Sequence, residues 1–96
     1  MTIDGSFVPK LAKKARLRFD RHSGKTMILY PERGLELNDA AAAIAKKCDG
    51  TRSIGLIASE LASEHEGVDA SAIERDVIAF VVDLQKKGLL SSADTP

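Results

Sequence analysis

Cysteine, aromatic residues and long apolar runs are all scarce in this 96-residue chain, and each shortage removes a class of protein. Cys48 is the single cysteine, so no disulfide can form within the chain and a reducing compartment fits. The chain has no Trp, one Tyr and three Phe, so its core must be built from aliphatic side chains. No apolar run approaches the ~20 residues of a membrane span, and residues 1–9 lack the continuous apolar region of a signal peptide. The expectation is a soluble, cytoplasmic protein. Fourteen basic residues balance fourteen acidic ones, which gives the whole chain no long-range attraction to nucleic acid or an anionic membrane. The charge is unevenly placed: residues 1–25 carry seven Lys/Arg against Asp4 and Asp20, so the remainder is acidic. Ninety-six residues suit one domain with a modest core.

Local patterning divides the chain into strands followed by helices. Residues 1–9, with Gly5, Ser6 and Pro9 among isolated apolar residues, read as a flexible N-terminal arm. From Arg16 to His22 polar and apolar residues alternate, with Leu17 and Phe19 on one side, the period of a half-buried strand. Ser23-Gly24-Lys25 reverses the chain into Thr26 to Tyr30, and Arg33-Gly34 turns it again into Leu35-Glu36-Leu37. Asn38 then supplies a helix N-cap, and an alanine-rich helix is predicted over Asp39 to Lys47 with Gly50 as its stop. Ser53 caps a second helix ending near Glu64, and Ser71 with Glu74 forms a capping-box pattern for a third that Gly88 ends. The predicted class is α+β, winged helix-turn-helix-like, with a three-stranded antiparallel sheet followed by three helices. One domain is expected over 10–90, with a frayed tail at 91–96.

The third helix carries the functional signal. At ~100° per residue, Ile73, Val77, Phe80 and Leu84 form one apolar stripe with Val81 at its margin, whereas Ile78 and Val82 fall well outside it. The apolar arc is about twice as wide as a one-sided surface helix requires. Either the strands or the arm cover the second side, or it lines a groove beside the sheet edge that accepts an extended peptide by strand addition. An arm swapped from a second copy would fill the same groove and give a homodimer.

Catalytic signatures are weak. Gly24-Lys25-Thr26 ends like a phosphate-binding loop, but Phe19 stands where the upstream glycine is required. Glu64, His65, Glu66 and Asp69 lack fixed metal-ligand spacing. Neither His22 nor His65 has a sequence-adjacent nucleophile. No catalytic residue and no metal site is predicted. A DNA-binding winged helix is the alternative, yet the third helix exposes Glu74, Asp76 and Asp83 where a recognition helix needs cations, with Lys86 and Lys87 only at its far end.

Pro9-Lys10-Leu11-Ala12, Arg16-Leu17-Arg18-Phe19-Asp20, Leu29-Tyr30-Pro31-Glu32, Leu35-Glu36-Leu37-Asn38, Cys48-Asp49-Gly50 and Lys87-Gly88-Leu89-Leu90 together resemble the pyrroloquinoline quinone (PQQ) biosynthesis protein D (PqqD) family. The resemblance implies a non-enzymatic peptide chaperone that binds a precursor peptide and presents it to a radical S-adenosylmethionine (SAM) enzyme. The iron–sulfur clusters and S-adenosylmethionine belong to that partner, so no cofactor is expected here. It further implies that the peptide adds beside the third strand and contacts Arg33, Leu35, Glu36 and Leu37 together with Arg75, Ile78, Ala79 and Val82. Arg16, Arg18 and His22 offer a docking face for the enzyme or for acidic residues of the precursor, and a quinone-like molecule in the groove stays open. Val82→Asp is expected to weaken precursor-peptide binding more than it weakens folding, which parallel binding titrations and thermal melts of the variant measure.

Overall fold

Alternation in the first third of the chain becomes a meander of three short strands. The computed structural model describes residues 3–30, 33–65 and 67–91. β1 (Arg16–Asp20), β2 (Lys25–Tyr30) and β3 (Arg33–Leu37) form an antiparallel sheet in the order β1-β2-β3. The register pairs Leu17 with Ile28 and Ile28 with Leu35, so these three side chains share the inner face. Ile28 at their centre is completely buried. Between β1 and β2 the carboxylate of Asp20 accepts the His22 N–H at 2.9 Å, and Gly24 takes φ +71°, a conformation that suits glycine.

Three helices follow: α1 (Asp39–Lys46), α2 (Ile54–Glu64) and α3 (Ala70–Lys86). Asn38 Oδ1 accepts the Ala41 N–H at 2.7 Å and Ser53 Oγ accepts the Leu56 N–H at 3.1 Å, so both expected caps form. The third start differs. Asp69, rather than Ser71, is the N-cap and accepts the Ser71 N–H at 3.1 Å, which leaves Glu74 free to lie over Gly5 and Gly55. α1 also stops at Lys46 with Lys47 as its C-cap, and Gly50 serves another purpose. It sits at φ +84° beneath Lys10, whose Cδ would be 2.9 Å from an added Cβ.

α1 packs on β2 and β3, and α2 packs on α3. One cluster of buried side chains joins Ile28 and Leu37 of the sheet to Ala42, Ala45, Leu84 and Leu89. The other joins Ile44, Cys48, Ile54, Ile57, Leu61, Val77 and Val81 between the helices. Val81 is fully buried and belongs to the centre of the α3 stripe, not its margin. Phe19 shares the parity of Leu17 yet is 61% exposed, because α1 covers β2 and β3 and leaves the far end of β1 bare. Cys48 is buried and its thiol pKa is pushed up to about 12, chiefly by that burial, so it behaves as a small apolar residue.

The expected flexible arm is, over residues 3–9, part of the fold. Its carbonyls occupy the open N-terminus of α2: Phe7 O accepts the Ile54 N–H and Gly5 O the Gly55 N–H, both at 2.8 Å. Pro9 is fully buried, and Ile3 and Phe7 pack on the helix cluster. Further along, Leu11 donates to Cys48 O, Ala12 donates to Leu89 O, and Lys10 accepts from Ser91. Sequence composition suggested mobility because the stabilising partners lie forty or more residues away. The tail beyond Ser91, and residues 1–2, lie outside the described residues.

The link between α1 and α2 is tied by charge. Glu60 accepts from Lys47 Nζ at 3.1 Å and from Arg52 Nε at 2.9 Å, while Arg52 Nη1 also reaches Asp49 at 2.9 Å. The Lys47 hydrogen bond, helped by Arg52, holds the Glu60 carboxyl below its ordinary value of 4.5. A carboxyl with a lower pKa in the folded state contributes stability above the unfolded value and loses it as pH falls through the folded one. Thermal midpoints should therefore drop on acidification below the unfolded value, and less steeply in Glu60→Gln, with Asp49 supplying part of the remaining slope. Phe7→Ala should cost roughly 1–2 kcal/mol, the loss of a half-buried aromatic side chain, measured by chemical denaturation.

Candidate functional site

An unpaired strand edge beside a helix forms the site. β3 pairs with β2 along one edge only, and no other strand among the described residues adjoins its second edge. Alternate N–H and C=O groups of Arg33–Leu37 therefore face outward, a template for an added strand. The floor between this edge and α3 is apolar: Leu35 and Phe80, both half-buried, pack on the cluster that contains Leu37 and Leu84. Leu37 is only 4% exposed and offers a partner its backbone, whereas Arg33 and Glu36 are exposed. Lys25 reaches Glu36 at 2.8 Å across the strand pair, and this hydrogen bond raises the Lys25 pKa.

α3 has two unlike flanks. Glu74 and Ile78 lie toward α2 and the arm: Glu74 covers Gly5 and Gly55, and Ile78 packs on the cluster that Ile3 and Phe7 also cover. The arm thus packs on the same helix cluster as Ile78, the covered alternative for that residue. Val82 is half-buried and belongs to neither core cluster. Arg75 and Ala79 are exposed. On the opposite flank, Phe80 faces the sheet and helical spacing carries Asp76 and Asp83 to the rim beside it. Phe80 and Asp76 went unremarked as contacts in the sequence because Phe80 fits the core stripe and Asp76 is one acidic residue among several on α3.

The basic face proposed for docking lies elsewhere. Arg18 and His22 line, with Phe19, Asp20, Arg21, Met27 and Leu29, a shallow hollow of about 440 Å³ on the β1–β2 hairpin. Arg16 is exposed on the same strand as Arg18. The open β3 edge and the hairpin hollow are thereby on separate parts of the sheet.

A meander with one edge unpaired among the described residues, followed by three helices of which the last two pack together, defines a winged-helix-like domain. Residues 25–90 match the family described as coenzyme PQQ synthesis protein D (PqqD), and the chain belongs to that family. It is 44% identical over 90 residues to the PqqA binding protein of Xanthomonas oryzae pv. oryzae, covering 94% of this chain and 95% of that one. Its fold is similar to the PqqD truncation of Methylobacterium extorquens PqqCD, a functional and stand-alone recognition element for ribosomally synthesized and post-translationally modified peptides. There the TM-score is 0.83 at 36% identity, over 94% of this chain and 95% of that chain. Lasso peptide synthetase B1 complexed with its leader peptide is also similar, with a TM-score of 0.73 and 26% identity over 88% of this chain and 99% of that one.

Proposed function

We propose that this protein binds the precursor peptide PqqA as an added strand on β3 and presents it to the peptide-modifying enzyme of PQQ biosynthesis, a radical SAM enzyme. The open β3 edge alongside α3 is the observation that carries the reading. Relatives named for PqqA binding and a similar domain complexed with a leader peptide support it. Main-chain pairing to Arg33, Leu35, Glu36 and Leu37 provides affinity that tolerates many sequences. Phe80 on the sheet-facing flank of α3, with Ala79 at its outer rim, adds side-chain selectivity, whereas Arg75 and Val82 lie nearer the Ile78 side by helical spacing.

Holding the peptide raises its effective concentration at the enzyme and requires no chemistry on this domain. Arg16, Arg18 and His22 on the opposite end of the sheet give the enzyme a surface that the peptide does not use. The role places the protein in the cytoplasm, as a monomer or as a homodimer formed by exchange of the arm. The DNA-binding alternative is disfavoured by Asp76 and Asp83 on α3, which would face phosphates at a cost.

Calorimetric titration of synthetic PqqA should be saturable, and a peptide N-methylated at alternate residues should bind at least about tenfold more weakly through lost strand hydrogen bonds. Equal affinity for the methylated peptide would remove strand addition from the reading. Binding of a duplex oligonucleotide with a steep salt dependence, and none of PqqA, would replace it with the alternative.

A further inference from the structure

The face of the sheet turned away from the helices holds a small apolar pad. Strand register puts Arg16, Leu29 and Gly34 in one row on this face and Arg18, Met27 and Glu36 in the next. Ile28, Leu35 and Leu37 point the other way, toward the core beneath α1. Met27 and Leu29 are half-buried yet pack on neither core cluster. Arg16 and Arg18 border the pad along β1, and the Lys25–Glu36 ion pair closes it on one side. Toward the unpaired edge of β3 the Leu29 row ends at Gly34, which has no side chain to close it.

Glycine weakens a strand interior, and where it stands in one it marks a bulge, a sharp bend or the close approach of another group. Gly34 pairs in regular register with Leu29, and it is not one of the glycines at positive φ, which are Gly24, Gly50, Gly67 and Gly88. Its own chain leaves the position only lightly filled. A Cβ built there would stand 3.0 Å from Met27 Cε and 3.4 Å from Leu29 Cδ2, both rotatable ends of side chains, and no backbone atom beyond its chain neighbours comes as near. Two methyl groups therefore lean over Gly34 toward the free edge. Neighbouring strands lie about 4.8 Å apart, so a long side chain on a strand added to β3 meets these methyls across the glycine. Met27 and Leu29 also form the inner wall of the hairpin hollow, whose cationic members Arg18, Arg21 and His22 lie on the β1 and hairpin side.

We infer that this pad is a second recognition surface for the bound precursor peptide, on the face of the added strand that points away from α3, and that it receives one aromatic side chain laid across Gly34 onto Met27 and Leu29. The inference rests on the strand-addition reading above and adds a selective contact on the opposite side of the sheet from the groove. An aromatic ring suits the position for two reasons. A ring from a neighbouring strand shields the bare backbone of an edge glycine, and a methionine thioether makes favourable contacts with aromatic rings. Such a contact also fixes register. A slip by two residues keeps the ring on the same face but carries it to the Glu36 row, where the Lys25–Glu36 ion pair stands in place of an apolar platform.

The test uses the full chain and PqqA. On titration of PqqA, the Met27 ε-methyl and Leu29 δ-methyl resonances should show ring-current shifts that saturate together with the shifts of the β3 amides. Replacing the aromatic residues of PqqA by leucine one at a time should abolish the methyl shifts for one of them and leave the β3 amide shifts in place. Gly34→Val keeps the backbone donors and acceptors of β3 and favours the strand, but fills the crossing point. It should bind PqqA about tenfold more weakly with no loss of thermal midpoint. Methyls that do not move while the β3 amides shift, or Gly34→Val binding within about twofold of wild type, would overturn the contact and leave strand addition intact. Absence of saturable binding by the wild-type protein would instead remove strand addition and the contact together. If Gly34→Val does not fold, the Met27 and Leu29 methyl shifts of the wild-type protein settle the matter.

Discussion

The fold depends on main-chain stitching between its first ten described residues and segments far along the chain. Gly5 and Phe7 carbonyls take the free N–H groups of α2, Pro9 accepts from Gly50, and residues 10–12 bond to Cys48, Leu89 and Ser91. Each bond satisfies a backbone group that would otherwise be left at a helix end or in a buried loop, where an unpaired donor is costly. The N-terminal segment thereby closes the helical layer on the side of α2. Among the described residues no backbone hydrogen bond joins this segment to β3, whose second edge has no strand partner.

An asymmetry of α3 follows from that closure. Ile78 and Glu74 look toward the stitched segment, and Phe80 looks toward the sheet. Two apolar clusters, one between sheet and helices and one among the helices, meet at Leu11, Phe80 and Leu90. Helix and sheet are thus joined through half-buried side chains that pack on both clusters. Asp39 and Asp76 line a hollow at the end of β3, while the cationic residues of β1 lie across the sheet. Opposite charges thus lie on separate surfaces of one small domain.

The strands were legible because β1 and β3 carry a period of two around Leu17 and around Leu35 and Leu37, while β2 is a short apolar run, Met27-Ile28-Leu29, between turn residues. Asn38 and Ser53 were legible as caps for a local reason, since each bonds an N–H three residues on. Asp69 was overlooked because Ser71 and Glu74 make an equally good local pattern, and only the placement of Glu74 over Gly5 and Gly55 decides between them. Apolar breadth on α3 was visible in the sequence, but its two causes were not separable there. Ile78 belongs to packing against α2 and the arm, and the free edge of β3 is a property of strand order.

Composition and spacing by themselves determined an aliphatic α+β chain with three strands followed by three helices, since these depend on contacts within a few residues. Tertiary structure alone decided which flank of α3 is covered, where the arm rests, and that α1, α2 and α3 line a half-open hollow at the end of β3. Those features join residues thirty or more positions apart, such as Phe7 with Ile54 and Asp39 with Asp76. Pairings over such separations are set by the packing of whole elements, and no local periodicity encodes them.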